Sequence, residues 1–161
     1  LEEGQEYDCE NLIQIIGNTT GSFRGIETFV CTCLFDSIIG NHDRHGRNLG
    51  FIVTPKGKSL SPIYDNPSAL GLETKEMLGF QFSPKGKIFT QKSKEPTIKD
   101  YIKEFRRLGY DGIVADFSKR VSHSKILQLI DESHCSAEMK LALKKLIEQR
   151  VKEFFDEFKS Q

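Results

Sequence analysis

The chain has 161 residues, 37% of them hydrophobic and 12 of them Phe, enough to fill one sizeable core, so a single domain over residues 1–161 is expected. Its 23 basic and 23 acidic residues cancel, which argues against direct nucleic-acid binding, and its most apolar stretch, residues 29–39, is too short for a membrane span and contains Asp36. The charge is unevenly placed: residues 1–80 carry 6 Lys/Arg against 11 Asp/Glu, an acidic half suited to collecting divalent cations, and residues 81–161 carry 17 against 12.

In chain order, Leu12, Ile13 and Ile16 have helical spacing, and the run Gly17-Asn18-Thr19-Thr20-Gly21 reads as a loop that ends the helix. That run lacks the spacing of a phosphate-binding loop and has no strand before it. Ser22 is placed to cap a second helix, whose apolar stripe Ile26, Phe29, Val30, Cys33, Leu34 and Ile38 ends at Gly40. Residues 49–53 and 59–64 are β-prone and flank Pro55-Lys56-Gly57-Lys58, which predicts a hairpin with Asp65 at its exit. Residues 80–82 and 87–90 flank another Pro-Lys-Gly turn and suggest a second small hairpin or an exposed loop. The rest is helical: Thr97 with Asp100 starts a helix that Gly109 stops, Ser122 caps another, and Ser136 opens the longest, with Met139, Leu143, Leu146, Ile147, Val151, Phe154, Phe155 and Phe158 on one face. The expected fold is mainly α with short β-hairpins, an α+β lobe.

Between the second helix and the hairpin lies Asn41-His42-Asp43-Arg44-His45-Gly46-Arg47-Asn48, which holds five ionisable side chains and no large apolar one. Packing does not explain such a segment. Asp43 and Asn48 are separated by four residues, the interval of the Asp and Asn in the kinase catalytic loop H-R-D-x-x-x-x-N. In phosphoryl transfer a protein mainly positions groups and neutralises charge, so an Asp base, an Asn ligand and a second carboxylate on the metal form a minimal set. The hairpin brings Asp65 back to the loop as that second carboxylate. Two other readings of the loop are a plain helix-capping turn and a Zn²⁺ or Mn²⁺ site made of His42, Asp43 and His45. His123 and His134 are remote from it, and Cys9, Cys31, Cys33 and Cys135 are too scattered for a disulfide framework, which suits reduced thiols in a cytoplasmic setting.

The run Gly40-Asn41-His42-Asp43-Arg44-His45-Gly46-Arg47-Asn48, followed by Pro62-Ile63-Tyr64-Asp65, resembles the C-terminal lobe of HipA-like serine/threonine kinases. Its Asp-Arg-His-x-x-Asn core is also similar to phosphatidylinositol 3-/4-kinases, which share the kinase-like fold. The resemblance implies a protein-kinase-like C-terminal lobe with Asp43 as catalytic carboxylate and Asn48 and Asp65 as ligands of Mg²⁺ on ATP. His45 is expected to shape the loop, and Arg44 and Arg47 to hold the loop or touch phosphate. Asp65 is followed by Asn66-Pro67 where protein kinases have Phe-Gly, so their activation-segment switching is not implied. Only 42 residues precede Asp43, and none forms a glycine-rich loop or a strand-borne Lys, so the ATP-gripping N-lobe is expected outside these residues, in a longer chain or a separate partner. The implied activity is transfer of the γ-phosphoryl group to a protein hydroxyl, weak in this piece alone, with an antitoxin as a possible partner. The alternatives are a lipid kinase lobe and a non-catalytic interaction module.

Overall fold

A computed structural model of the chain describes residues 7–66 and 85–160. Among these residues the protein is mainly helical, with one two-stranded antiparallel hairpin, as expected. Helix α1 (Cys9–Thr20) is capped by Asp8, whose Oδ1 accepts from the Asn11 N–H at 2.7 Å. The loop expected over residues 17–21 is instead helical through Thr20, because packing of α1 against the following helix carries it on until Gly21, at φ 59°, leaves the helical region. Helix α2 (Phe23–Ile39) begins at Ser22 and ends at Gly40, at φ 74°. This left-handed residue reverses the chain cheaply only because it has no Cβ, and it delivers residues 41–48 to the end of the helix.

A single turn of 3-10 helix (Gly46–Asn48) leads into strands β1 (Phe51–Thr54) and β2 (Gly57–Leu60), paired from Phe51 with Leu60 to Thr54 with Gly57. Residues 61–64, expected to be strand, lie beyond the pairing. They carry one ladder-like bond, from the Ser61 N–H to the Gly50 carbonyl at 2.8 Å, and then run irregularly to Asp65. The possible second hairpin falls partly outside the described residues. Within them, Phe89 makes an isolated parallel bridge with Asp8.

Helices α3 (Ile98–Arg107), α4 (Asp111–Arg120), α5 (His123–Glu132) and α6 (Ala137–Lys159) complete the described structure. Thr97 and Asp100 form the expected reciprocal capping box, and Ser122 and Ser136 cap α5 and α6. The central element is α2, which packs against α1, α3, α4 and α6. Its Phe29 meets Phe105 of α3 edge to face at 6.4 Å, and Phe154 of α6 meets Phe117 of α4 in the same way at 5.7 Å. Burying each large apolar side chain in this cluster contributes about 1.5–3 kcal/mol. On α6 the predicted stripe is buried from Leu143 to Phe154, with Arg150 inside it and Met139, Phe155 and Phe158 half-buried at its margin. All four cysteines are free thiols.

Candidate functional site

The polar loop is built on a buried ion pair that the sequence motifs do not reveal. Asp36 lies on the last turn of α2, 3% exposed, and Arg44 is equally buried. The Asp36 carboxylate accepts from Arg44 Nε at 2.6 Å and Nη2 at 3.3 Å, from Asn41 Nδ2 at 3.0 Å and from Asn66 Nδ2 at 2.8 Å. Four donors on one carboxylate offset the cost of taking its charge out of water. Arg44 Nη1 then donates to the Tyr64 carbonyl at 2.7 Å and to the Asn48 carbonyl at 3.4 Å. One guanidinium thereby ties together the end of α2, the loop and the exit of the hairpin. Its fork of fixed donors suits this bridging in a way a lysine would not.

On this frame the structure brings Asn48 and Asp65 into contact. Asn48 is almost fully buried; its Nδ2 donates to Asp65 Oδ2, and its Oδ1 accepts the His45 backbone N–H at 3.2 Å. Asp65 is exposed and adopts φ 52°, the left-handed region that Asp tolerates better than most residues. That reversal of the backbone, immediately after the Tyr64 carbonyl is held by Arg44, turns the carboxylate toward Asn48. The Asn48 amide nitrogen faces the Asp65 carboxylate and its oxygen faces the His45 N–H; amide and carboxylate oxygens are hard donors of the type that suits Mg²⁺.

Asp43 stands at the tip of the loop. Its backbone N–H donates to Asn41 Oδ1 at 3.0 Å, a turn that fixes its direction, and its side chain is 48% exposed. Its carboxylate accepts from Lys87 Nζ at 2.6 Å. This hydrogen bond, with the charges of Lys87, His45 and His42 adding to it and slight burial opposing it, holds the Asp43 carboxyl below the usual range. Nothing in the spacing of the motifs could have found Lys87, which is 44 residues away. Asp36 did leave a signal, as the one charged residue in the largely apolar stretch 29–39.

Of the residues expected to shape the loop or meet phosphate, Arg44 is buried and fully engaged in holding the loop, and the Arg47 side chain lies outside what the structure describes. His45 shapes the turn through its backbone N–H; the buried Nδ1 atoms of His42 and His45 have no hydrogen-bond partner among the described residues. No three His, Cys, Asp or Glu side chains converge as a metal-ligand group among those residues, so the alternative set of His42, Asp43 and His45 is not assembled. No helix among them is long and apolar enough to cross a membrane.

The fold and site together define a helical lobe with a polar loop after its central helix and a hairpin that returns a carboxylate to that loop. The chain belongs to the HipA-like C-terminal domain family, which it matches over residues 1–139. Among solved structures it is similar to a chain of the Shewanella oneidensis MR-1 toxin–antitoxin complex of HipA, HipB and its operator DNA, with a TM-score of 0.66 and 17% identity. The match covers 100% of this chain and 39% of that one, so these residues correspond to well under half of the larger protein. No curated protein matches the sequence.

Proposed function

We propose that the chain is the catalytic lobe of an ATP- and Mg²⁺-dependent serine/threonine protein kinase of HipA type. The observation that carries this reading is the joint anchoring of Asp43, Asn48 and Asp65: one buried Asp36–Arg44 pair holds both the loop bearing the first two and the hairpin exit bearing the third. In this reading Asp43 orients the acceptor hydroxyl and takes its proton, and Asn48 and Asp65 would hold Mg²⁺. The metal, when bound, neutralises charge on the transferring phosphoryl group. The half-exposed Asp43 leaves room for an acceptor side chain to approach. The elements that grip ATP belong, in this proposal, to a further part of the protein or to a partner chain, and an antitoxin of HipB type is the proposed regulatory partner.

The test is transfer of radiolabelled γ-phosphate from ATP by the full-length protein, offered cell proteins and phosphoinositide vesicles in parallel. Label is expected on phosphoserine or phosphothreonine. Label confined to the lipid would replace the protein-kinase reading with the lipid-kinase one, and no Mg²⁺-dependent transfer to either would leave only an interaction module.

A further inference from the structure

Lys87 and Asp43 form an ion pair at 2.6 Å although both are about half exposed, at 52% and 48%. A pair this open contributes little to stability, so folding alone gives little reason for it. Its mounting is another matter. The Gly86 N–H donates to the Pro96 carbonyl at 2.9 Å, the Phe89 N–H to the Tyr7 carbonyl at 3.0 Å, and the Tyr101 hydroxyl to the Ile88 carbonyl at 2.9 Å. The Ile88 side chain is buried in the core, and a side chain at Gly86 would run into the Tyr101 ring. Gly86, Ile88 and Phe89 are thus pinned to the body of the lobe, and the exposed Lys87 side chain between them ends on Asp43. An ammonium has three N–H donors, and Asp43 uses one. Among the described residues no second partner of Lys87 is found, and its side chain is about half exposed, so two donors remain for a ligand beside the carboxylate.

Resting on the phosphotransferase reading, we propose that Lys87 is a catalytic residue whose ammonium contacts the transferring phosphoryl group while keeping Asp43 in place. Lys87 stays on Asp43 Oδ1, which leaves Oδ2 to receive the proton of the acceptor hydroxyl. The acceptor oxygen forms its bond to the γ-phosphorus, the bond from that phosphorus to the β–γ bridging oxygen breaks, and the electron pair leaves with ADP. The negative charge spread over the phosphoryl oxygens during this exchange is what the two free donors of Lys87 meet. A cation held rigidly beforehand does this without reorganising at the moment of transfer.

The experiment compares the full-length protein with its Lys87→Met, Lys87→Arg and Asp43→Ala forms, measuring turnover, binding of ADP alone, binding of ADP with aluminium fluoride as a mimic of the transferring group, and melting temperature. For Lys87→Met the expected result is turnover reduced by about 10²–10³-fold, a comparable loss of tightness for ADP with aluminium fluoride, and unchanged ADP binding and melting temperature. Lys87→Arg should recover part of both losses. If Asp43→Ala is inactive while Lys87→Met behaves as wild type, the inference about Lys87 is wrong and the kinase reading stands. If Asp43→Ala keeps full activity, the kinase site itself is wrong and Lys87 falls with it. A Lys87→Met loss shared equally by ADP binding and melting temperature would make Lys87 a structural residue and overturn the proposal.

Discussion

Replacing Asp36 with Ala is the substitution to which the site should be most sensitive among residues that touch no substrate. The change removes the carboxylate paired with Arg44, a residue 3% exposed whose remaining hydrogen bonds among the described residues are those of Nη1 to the carbonyls of Tyr64 and Asn48. Stranding one member of a buried pair costs about 3–5 kcal/mol, and the amides of Asn41 and Asn66 lose their acceptor as well. For a domain of this size that corresponds to a fall in melting temperature of roughly 6–20 °C. Thermal melts followed by far-ultraviolet circular dichroism, comparing wild type, Asp36→Ala, Arg44→Met and Asp36→Leu with Arg44→Met together, would measure it. The double variant should be more stable than the sum of the single losses predicts, since it leaves no buried charge unpaired. It should still fail in phosphoryl transfer, because the tie from the loop to Tyr64 is gone. An Asp36→Ala protein within about 1 kcal/mol of wild type would refute the anchoring argument.

Two further consequences concern protonation and reactivity. Because Asp43 titrates below the ordinary aspartate value of about 4, the folded state gains a little stability from it above that pH and loses it as pH falls through the lowered value. A carboxyl-carbon nuclear magnetic resonance titration should find the Asp43 midpoint below the ordinary value in wild type and higher in Lys87→Met; equal midpoints would contradict the Lys87 contact. Burial pushes the thiols of Cys9 and Cys33 well up, so native-state alkylation with iodoacetamide near neutral pH should label the half-exposed Cys135 and spare those two, as peptide mass spectrometry would show. Labelling of Cys9 or Cys33 at the rate of the denatured chain would contradict the packing of α1 against α2.

Much of this architecture was readable from residue types because local chemistry decides it. Ser22, Thr97, Ser122 and Ser136 cap helices where their hydroxyls are followed by periodic apolar runs, and Gly40 ends α2 where only a left-handed residue allows the turn into the loop. The hairpin was legible from its Pro-Lys-Gly turn, though its second strand stops at Leu60 and the chain then bends to bring Tyr64 to Arg44. Local propensity misled at Gly17, where packing of α1 on α2 carries the helix on to Thr20. The motif spacing pointed to Asp43, Asn48 and Asp65, but their supports depend on tertiary contact. The Asp36–Arg44 pair spans a helix end and a loop, and Lys87 reaches Asp43 only because residues 86–89 are pinned to Pro96, Tyr101 and Tyr7, which no period or motif encodes.

The central claim is that Asp43 and Asp65 act together in phosphoryl transfer, and Mg²⁺-dependent ATP turnover by the full-length protein tests it most directly when measured beside the Asp43→Ala and Asp65→Ala forms. Asp43→Ala should melt near wild type, since its carboxylate is about half exposed, and Asp65→Ala should melt somewhat lower, because Ala tolerates the left-handed backbone less well than Asp and the Asn48 amide loses its acceptor; both should lose about 10³-fold or more of the activity. Full activity in the two variants would contradict the assignment of the site.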